Sequence, residues 1–114
     1  MIDEAAAMLL ELRLRDAETA GARVLLGGER RGALMEPTVI ADVPRDAEMV
    51  VKESFGPLAP ILPVKDLDDA IELANSSNFG LSSGVVTNDL VAATKSIQSL
   101  ETGTVNINQV LWAA

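Results

Sequence analysis

The chain contains no cysteine and no histidine among its 114 residues. Their absence excludes disulfides, thiolate nucleophiles, zinc sites built from cysteine and histidine, and every catalytic triad that uses histidine. Within this chain, covalent catalysis by a cysteine is therefore chemically excluded.

Aromatic side chains are also scarce, since Phe55, Phe79 and Trp112 are the only three. Hydrophobic residues nevertheless make up 48% of the chain, so we expect an aliphatic core and not a disordered chain. The length suits a single domain, which we expect to span residues 1–114. No apolar run is long enough to cross a bilayer and no secretory h-region leads the chain, so we expect a cytoplasmic protein without a membrane partner.

Basic residues are few, with 9 Lys and Arg against 17 Asp and Glu and a formal net charge of −8. Phosphate binding needs a surplus of Lys and Arg, so nucleic acid is not expected as a partner. The acidity otherwise fits ordinary solubility and does not by itself indicate a function.

The hydrophobic pattern predicts alternating helices and strands. A helix over residues 3–20 would have Asp3 as its N-cap, Gly21 as its stop, and apolar residues at helical spacing at positions 5, 8, 9 and 12. Pro37 predicts an edge position or an irregularity in a strand over residues 34–41. The remaining predicted elements are a strand over residues 24–26, a short helix capped by Asp46, strands over residues 58–64, 83–87 and 104–108, and helices capped by Asp66 and by Asn88 or Asp89. This order indicates an α/β fold with a parallel or mostly parallel sheet joined by crossover helices.

One turn carries the main candidate binding residues, Glu53 and Phe55, directly before Gly56 and Pro57. Gly and Pro make such a turn sharp and rigid. A carboxylate beside an aromatic face suits a ligand with neighbouring hydroxyls and a flat ring. The alternative is that Glu53 is a solvated helix residue and Phe55 fills the core, as most aromatics in small domains do.

Two further clusters have a simpler interpretation. Asp66, Asp68 and Asp69 do not match a calcium loop, so helix capping explains them better, and no metal site is predicted. Asn106 and Asn108 alternate on the last strand and should share one face, where they could either line a site or satisfy local backbone groups.

Six segments, taken in order, resemble the aldehyde dehydrogenase family. They are GARVLLGG at residues 21–28, EPTV at 36–39, KESFGP at 52–57, DAIELAN at 69–75, FGLS at 79–82 and TGTVNIN at 102–108. KESFGP is similar to the family signature EEIFGP, with Lys52 in place of a glutamate and Ser54 in place of an apolar residue. The ordered set covers nearly the whole chain, so the resemblance implies a partial aldehyde dehydrogenase catalytic domain.

The resemblance implies roles for three residues. Glu53 matches a glutamate that binds the ribose hydroxyls on the nicotinamide side of NAD or NADP, and Phe55 matches the aromatic beside the nicotinamide ring. Asn108 matches a catalytic-site asparagine that supports the active-site water and base. In the complete enzyme, the partners would be an aldehyde and the dinucleotide.

The resemblance also implies what this chain lacks. The family's nucleophilic cysteine, general-base glutamate and dinucleotide-binding half lie upstream of the matched region, and the residues after Asn108 match poorly. We therefore expect a fragment or truncated relative of an aldehyde dehydrogenase that is inactive alone and binds no cofactor by itself. The alternative is a non-catalytic binding or assembly module that pairs with other chains, including further copies of itself, through sheet edges or an apolar face.

Overall fold

The structure, a computed structural model, describes residues 1–109. The chain forms two compact units, Met1–Pro63 and Val64–Ala114. Within the described residues, none of the helices combines the length and the apolar character that crossing a membrane requires. In chain order the elements are α1 Glu4–Thr19, β1 Arg23–Leu26, β2 Arg30–Arg31, β3 Leu34–Met35, β4 Thr38–Ala41, α2 Glu48–Val51, β5 Leu58–Ile61, α3 Leu67–Asn75, β6 Ser82–Val85, α4 Leu90–Ser99 and β7 Thr104–Ile107.

A three-stranded sheet in the order β1-β4-β5 forms the centre of the first unit. β4 and β5 are parallel and are joined through α2, with Thr38 opposite Leu58. β1 runs antiparallel to β4, and β2 and β3 form a separate antiparallel hairpin that the sequence pattern did not predict. Pro60 lies in β5, a strand that pairs on one side only, as a residue without an N–H requires.

The second unit has the same parallel strand–helix–strand arrangement in its simplest form. β6 and β7 are parallel, with Ser82 opposite Thr104, and α4 connects them. The predicted α/β class with mostly parallel strands and crossover helices is therefore confirmed. The parallel strands are divided between two sheets, and the antiparallel β1 makes the first sheet mixed.

Helix α1 supplies three residues of the core cluster of the first unit, but through a different stripe from the one that the sequence analysis named. Its Asp3 cap is confirmed, since the carboxylate accepts the N–H of Ala6 at 2.8 Å. The apolar positions 8, 9 and 12 are exposed, whereas a second stripe is buried. That buried stripe, with the residues that it packs against, forms one cluster made of Leu10, Leu14, Ala17, Ala22, Met35, Ile40, Val43 and Met49.

Two predicted details of the first unit are corrected. The strand expected over residues 34–41 is two strands, because the chain leaves the ladder at Glu36 and Pro37. Asp46 does not cap α2. The N-cap is Ala47, whose carbonyl accepts the N–H of Val50 at 2.8 Å, so backbone groups close the helix start without a side chain.

The caps of the second unit agree with the sequence. Asp66 accepts the N–H of Asp69 at 2.9 Å, and Asp89 accepts the N–H of Val91 at 2.8 Å. Capping of this kind contributes about 1 kcal/mol to a helix. The acidic residues near the start of α3 thus bond within the second unit, since Asp68 also forms an ion pair with Lys95. The core here is thin, since the buried residues between positions 64 and 109 are Ile71, Ala93 and Ser96.

The turn after β1 depends on the absence of a side chain at Gly27, whose φ is +71°. A Cβ built there would lie 2.2 Å from the carbonyl oxygen of Pro37, which belongs to the backbone and cannot move aside easily. The neighbouring hydroxyl of Thr38 is buried, accepts the N–H of Gly28 at 3.0 Å and donates to the carbonyl of Glu36 at 2.8 Å. The backbone of this turn is thereby packed directly against β4.

We predict that Gly27→Ala destabilises the chain by about 3 kcal/mol, because it combines left-handed strain with a clash against backbone. Gly32→Ala is the matched control, since Gly32 also has a positive φ of +59° but no atom lies within 4 Å of the point that its Cβ would occupy. The control should cost only the strain, about 1 kcal/mol. Urea denaturation followed by circular dichroism measures both, and equal losses would contradict the role given to the Pro37 carbonyl.

Candidate functional site

The turn that carries Glu53 and Phe55 lies between α2 and β5 and is held at both ends. At its start, the N–H of Lys52 donates to the carbonyl of Glu48 at 2.9 Å, which ends α2. At its end, the N–H of Thr38 donates to the carbonyl of Pro57 at 2.8 Å, which extends the β4–β5 pairing by one bond. Residues 52–57, named the cofactor turn below for the role that the family resemblance implies, therefore have a fixed path between two regular elements.

Gly56 allows the cofactor turn to approach α1 closely. A Cβ at this position would lie 2.4 Å from Cδ2 of Leu10. Leu10 is a core residue with 2% of its surface exposed, so it has little room to move away. The glycine of the turn is therefore explained by a close approach to the helix.

Arg13 of α1 holds the middle of the cofactor turn. Its Nη1 donates to the carbonyl of Glu53 at 2.9 Å and to the hydroxyl of Ser54 at 3.0 Å. Its Nε and Nη2 donate to Oε1 of Glu48 at 3.4 and 3.3 Å. Arg13 is only 9% exposed, so this planar cation joins α1, α2 and the turn from inside the unit.

Glu48 receives a second cation from the turn itself. Nζ of Lys52 lies 3.2 Å from the same Oε1 that faces Arg13. The hydrogen bond and charge of Lys52, followed by those of Arg13, hold the pKa of the Glu48 carboxyl below its ordinary value of 4.5. Both departures from the family signature, Lys52 and Ser54, thus belong to one polar network with Arg13 and Glu48.

The structure leaves the side chains of Glu53 and Phe55 turned outward. Phe55 is 78% exposed, so the alternative that it fills the core is wrong. Glu53 is exposed, and among the described interactions its side chain makes no hydrogen bond or ion pair. An uncommitted carboxylate and an open aromatic ring, two residues apart on a fixed turn, suit a ligand with neighbouring hydroxyls and a flat ring.

Asn108 belongs to the second unit and lies just beyond β7, not within it. Its φ of +52° breaks the strand alternation, so the prediction that it shares a strand face with Asn106 is wrong. Its Oδ1 accepts the N–H of Thr87 at 2.9 Å and its Nδ2 donates to the carbonyl of Thr87 at 2.7 Å. The side-chain amide therefore pairs with a backbone segment as a neighbouring strand would.

Asn106 also bonds to the segment of β6, since its Nδ2 reaches the carbonyl of Ser83 at 3.3 Å. Both amides thus satisfy local polar groups, which was one of the two interpretations of the sequence. Over residues 1–109 no group of three or more acidic, histidine or cysteine side chains could hold a metal ion.

The sequence analysis identified Glu53 and Phe55 but missed Arg13 and Glu48. Arg13 carried a signal, because it lies on the same helical face as Leu10, Leu14 and Ala17. A charged residue on a buried stripe needs partners of opposite charge or polar acceptors. Glu48 gave no comparable signal, because an acidic residue in the first turn of a helix is common on any surface.

The pKa of Glu48 is lower in the folded chain than its ordinary value of 4.5. The ionised carboxylate should therefore stabilise the fold fully above pH 4.5, and this stabilisation should be lost as the pH falls through the lower pKa of the folded chain. We predict that Glu48→Gln is less stable than the native chain near pH 7 and that the difference shrinks as the pH falls below 4.5. Urea denaturation at a series of pH values measures this difference. Glu72→Gln, a change at an exposed glutamate of α3, is the control and should cost little at any pH. A difference between Glu48→Gln and the native chain that does not depend on pH would contradict the network.

Comparisons with known proteins give a consistent result. The model of the aldehyde dehydrogenase family matches residues 1–114. The chain is 41% identical over 111 residues to a succinate-semialdehyde dehydrogenase of Escherichia coli (strain K12) whose name specifies NADP(+), covering 95% of this chain and 23% of that protein. It is 38% identical over 112 residues to the mitochondrial succinate-semialdehyde dehydrogenase of Oryza sativa subsp. japonica, covering 96% of this chain and 21% of that protein.

Solved structures of similar proteins share the fold. The NADP-dependent glyceraldehyde-3-phosphate dehydrogenase from Bacillus halodurans C-125, complexed with NADP, is 38% identical and superposes with a TM-score of 0.95. That match covers 100% of this chain and 24% of the other. The chain therefore spans about a quarter of the length of the relatives it matches. Since the family model covers every residue, the chain belongs to the aldehyde dehydrogenase family.

Proposed function

We propose that this chain supplies the nicotinamide-side ribose contact of an aldehyde dehydrogenase that oxidises an aldehyde to a carboxylic acid with NAD or NADP. The observation that carries the proposal is the exposed, uncommitted Glu53 and the 78% exposed Phe55 on a turn fixed from inside by Arg13. Family membership supports the reaction class. Relatives and structures named as NADP-dependent support a nicotinamide dinucleotide as the cofactor.

The proposed roles follow from the chemistry of the two side chains. The carboxylate of Glu53 accepts hydrogen bonds from two neighbouring ribose hydroxyls, for which an acceptor with two oxygens is suited. The ring of Phe55 offers a flat face beside the nicotinamide. When bound, the dinucleotide supplies the hydride acceptor of the reaction, and these residues orient it without breaking bonds themselves.

Asn108 is proposed to support the catalytic water and base in the complete enzyme. Its amide already pairs with the backbone of Thr87, so it would act from a rigid position. The nucleophile of such a reaction is a thiolate, and this chain has no cysteine. The chain is therefore proposed to be inactive alone and to bind no dinucleotide by itself. The cytoplasmic location expected from the sequence stays a prediction.

The proposal for Glu53 predicts a cofactor effect in a chimera. The chain replaces the matching segment of the E. coli succinate-semialdehyde dehydrogenase, and oxidation of succinate semialdehyde is followed by the absorbance of the reduced dinucleotide. Glu53→Gln should raise the KM for the dinucleotide about tenfold, because it removes charge-assisted hydrogen bonds worth roughly 1.5–3 kcal/mol.

Glu72→Gln is the control in the same chimera, since Glu72 is exposed on α3 of the second unit. Its KM should match that of the unsubstituted chimera. A Glu53→Gln chimera with an unchanged KM and an unchanged kcat would rule out the ribose contact.

The isolated chain should give no turnover with NAD+ or NADP+ and a panel of aldehydes, because it has no thiol to form the thioester. The measurement is the same absorbance assay at high chain concentration. The chimera, which retains the relative's cysteine, is the positive control. Robust turnover by the isolated chain would contradict this function.

A second candidate function is self-assembly, and one observation favours it. Met8, Leu9 and Leu12 form an apolar stripe at helical spacing on the outer side of α1, and they are 48, 48 and 59% exposed. Such a stripe suits pairing with the same helix of a second copy. Leu12→Glu should then convert an oligomer to a monomer in sedimentation velocity, with Glu72→Gln as the control. A native chain that sediments as a monomer at high concentration would eliminate this function.

A further inference from the structure

The buried guanidinium of Arg13 donates more hydrogen bonds than a residue that only fills space in the core would need. It makes four hydrogen bonds, which end on a carboxylate of α2 and on two successive residues of the cofactor turn. Along the buried face of α1 its neighbours are Leu10, Leu14 and Ala17. An apolar side chain would fill such a position without the cost of burying a charge.

We propose that Arg13 is a positioning residue of the cofactor turn, which sets the backbone from which Glu53 and Phe55 project. This inference deepens the proposed function and rests on it for its relevance to the dinucleotide. Among the described hydrogen bonds, those of Arg13 do not reach the carboxylate of Glu53. Arg13 acts through the carbonyl of Glu53 and the hydroxyl of Ser54, the two groups that precede the Cα of Phe55.

The geometry explains why an arginine is needed. Nη1 donates in two directions, at 2.9 Å to the carbonyl of Glu53 and at 3.0 Å to the hydroxyl of Ser54. The planar guanidinium fixes the angle between these two bonds, whereas an ammonium is a point charge with freely rotating donors. Two bonds from one plane to adjacent residues restrain the direction of the chain at the turn as well as its distance from α1.

Glu48 orients the other edge of the same plane. Its Oε1 faces Nε and Nη2 of Arg13 and also the Nζ of Lys52. The carboxylate thus restrains the guanidinium plane against rotation about the Cδ–Nε bond. Lys52 and Ser54, at the two positions where the turn departs from the signature, are the turn's own contributions to this arrangement.

The test measures the turn in the isolated chain by ¹⁵N relaxation. Arg13→Met should lower the backbone order parameters of residues 53–55 from about 0.85 to below about 0.6, because the turn loses both bonds from Nη1. Order parameters in β4 and β1 should stay unchanged. Arg13→Lys should fall between the two, because it restores a cation without the planar fork.

Arg15→Met is the matched control, since Arg15 is an exposed arginine of the same helix that pairs with Glu18. It should leave residues 53–55 ordered. Order parameters in the turn that are unchanged in Arg13→Met would overturn the proposal. A uniform loss across the whole first unit would overturn it as well, because Arg13 would then be a general structural residue.

If Arg13→Met does not fold, substitutions of Ser54 test the proposal instead. Ser54→Ala removes one acceptor and leaves the guanidinium in place, so it should lower the order of residues 53–55 and shift the side-chain N–H resonances of Arg13. Ser54→Thr keeps the hydroxyl and should restore both signals. An alanine variant with native order parameters and native arginine resonances would overturn the proposal.

This experiment is independent of the dinucleotide. The relaxation data report whether Arg13 orders the turn, and the KM of the chimera reports whether Glu53 contacts the cofactor. A failure of either measurement therefore leaves the other interpretable.

Discussion

The first unit depends on one buried cation. Burying the guanidinium of Arg13 is costly unless each side of it finds an acceptor, and it finds the carboxylate of Glu48, a backbone carbonyl and a hydroxyl. These acceptors come from α2 and from the turn that follows it. The requirement to satisfy one charge thus fixes the relative positions of α1, α2 and the cofactor turn. The apolar cluster around Leu14 and Ile40 supplies the burial that makes the requirement strict.

The elements that could be predicted from the sequence are those with a local cause. Asp3, Asp66 and Asp89 each cap a helix through their own side chain, so the pattern of nearby residues was sufficient. Asp46 looked like another such residue, yet Ala47 is the N-cap of α2 because a backbone turn after Pro44 already closes the helix start. The β2–β3 hairpin was missed since two strands of two residues each carry no hydrophobic periodicity.

Helix α1 shows why burial is harder to predict than helicity. It has two apolar stripes at helical spacing, one at positions 5, 8, 9 and 12 and one at positions 7, 10, 14 and 17. Periodicity identifies both equally well, and only the tertiary structure selects the second. The same ambiguity hid Arg13, because only the first stripe was recognised in the sequence and the arginine is not part of it. A buried charge is recognised from sequence only after the correct face is known.

The candidate site also contains some features that the sequence predicts and others that it does not. Glu53 and Phe55 were identified because a short signature marks them, while Arg13, which holds the turn in place, is 40 residues from Glu53 and 41 from Ser54 along the chain. Asn108 was placed within a strand by alternation, but a left-handed backbone at its position puts it beyond β7, where its amide replaces a strand pairing. Long-range hydrogen bonds of this kind leave no periodic trace in the sequence.

The geometry of the cofactor turn and the affinity for a dinucleotide depend on different contacts. Over residues 1–109, the bonds that fix the cofactor turn come from the first unit, so the turn can keep its geometry without a nucleophile or a dinucleotide-binding half. Binding is different, because association costs several kcal/mol of translational and rotational freedom that a few contacts cannot offset. In the proposed function, one carboxylate and one aromatic face would supply orientation but too little free energy to hold a dinucleotide. We therefore expect the chain to hold Glu53 and Phe55 in a preorganised geometry. That geometry would contribute to binding only when another part of an aldehyde dehydrogenase makes the remaining contacts to the dinucleotide.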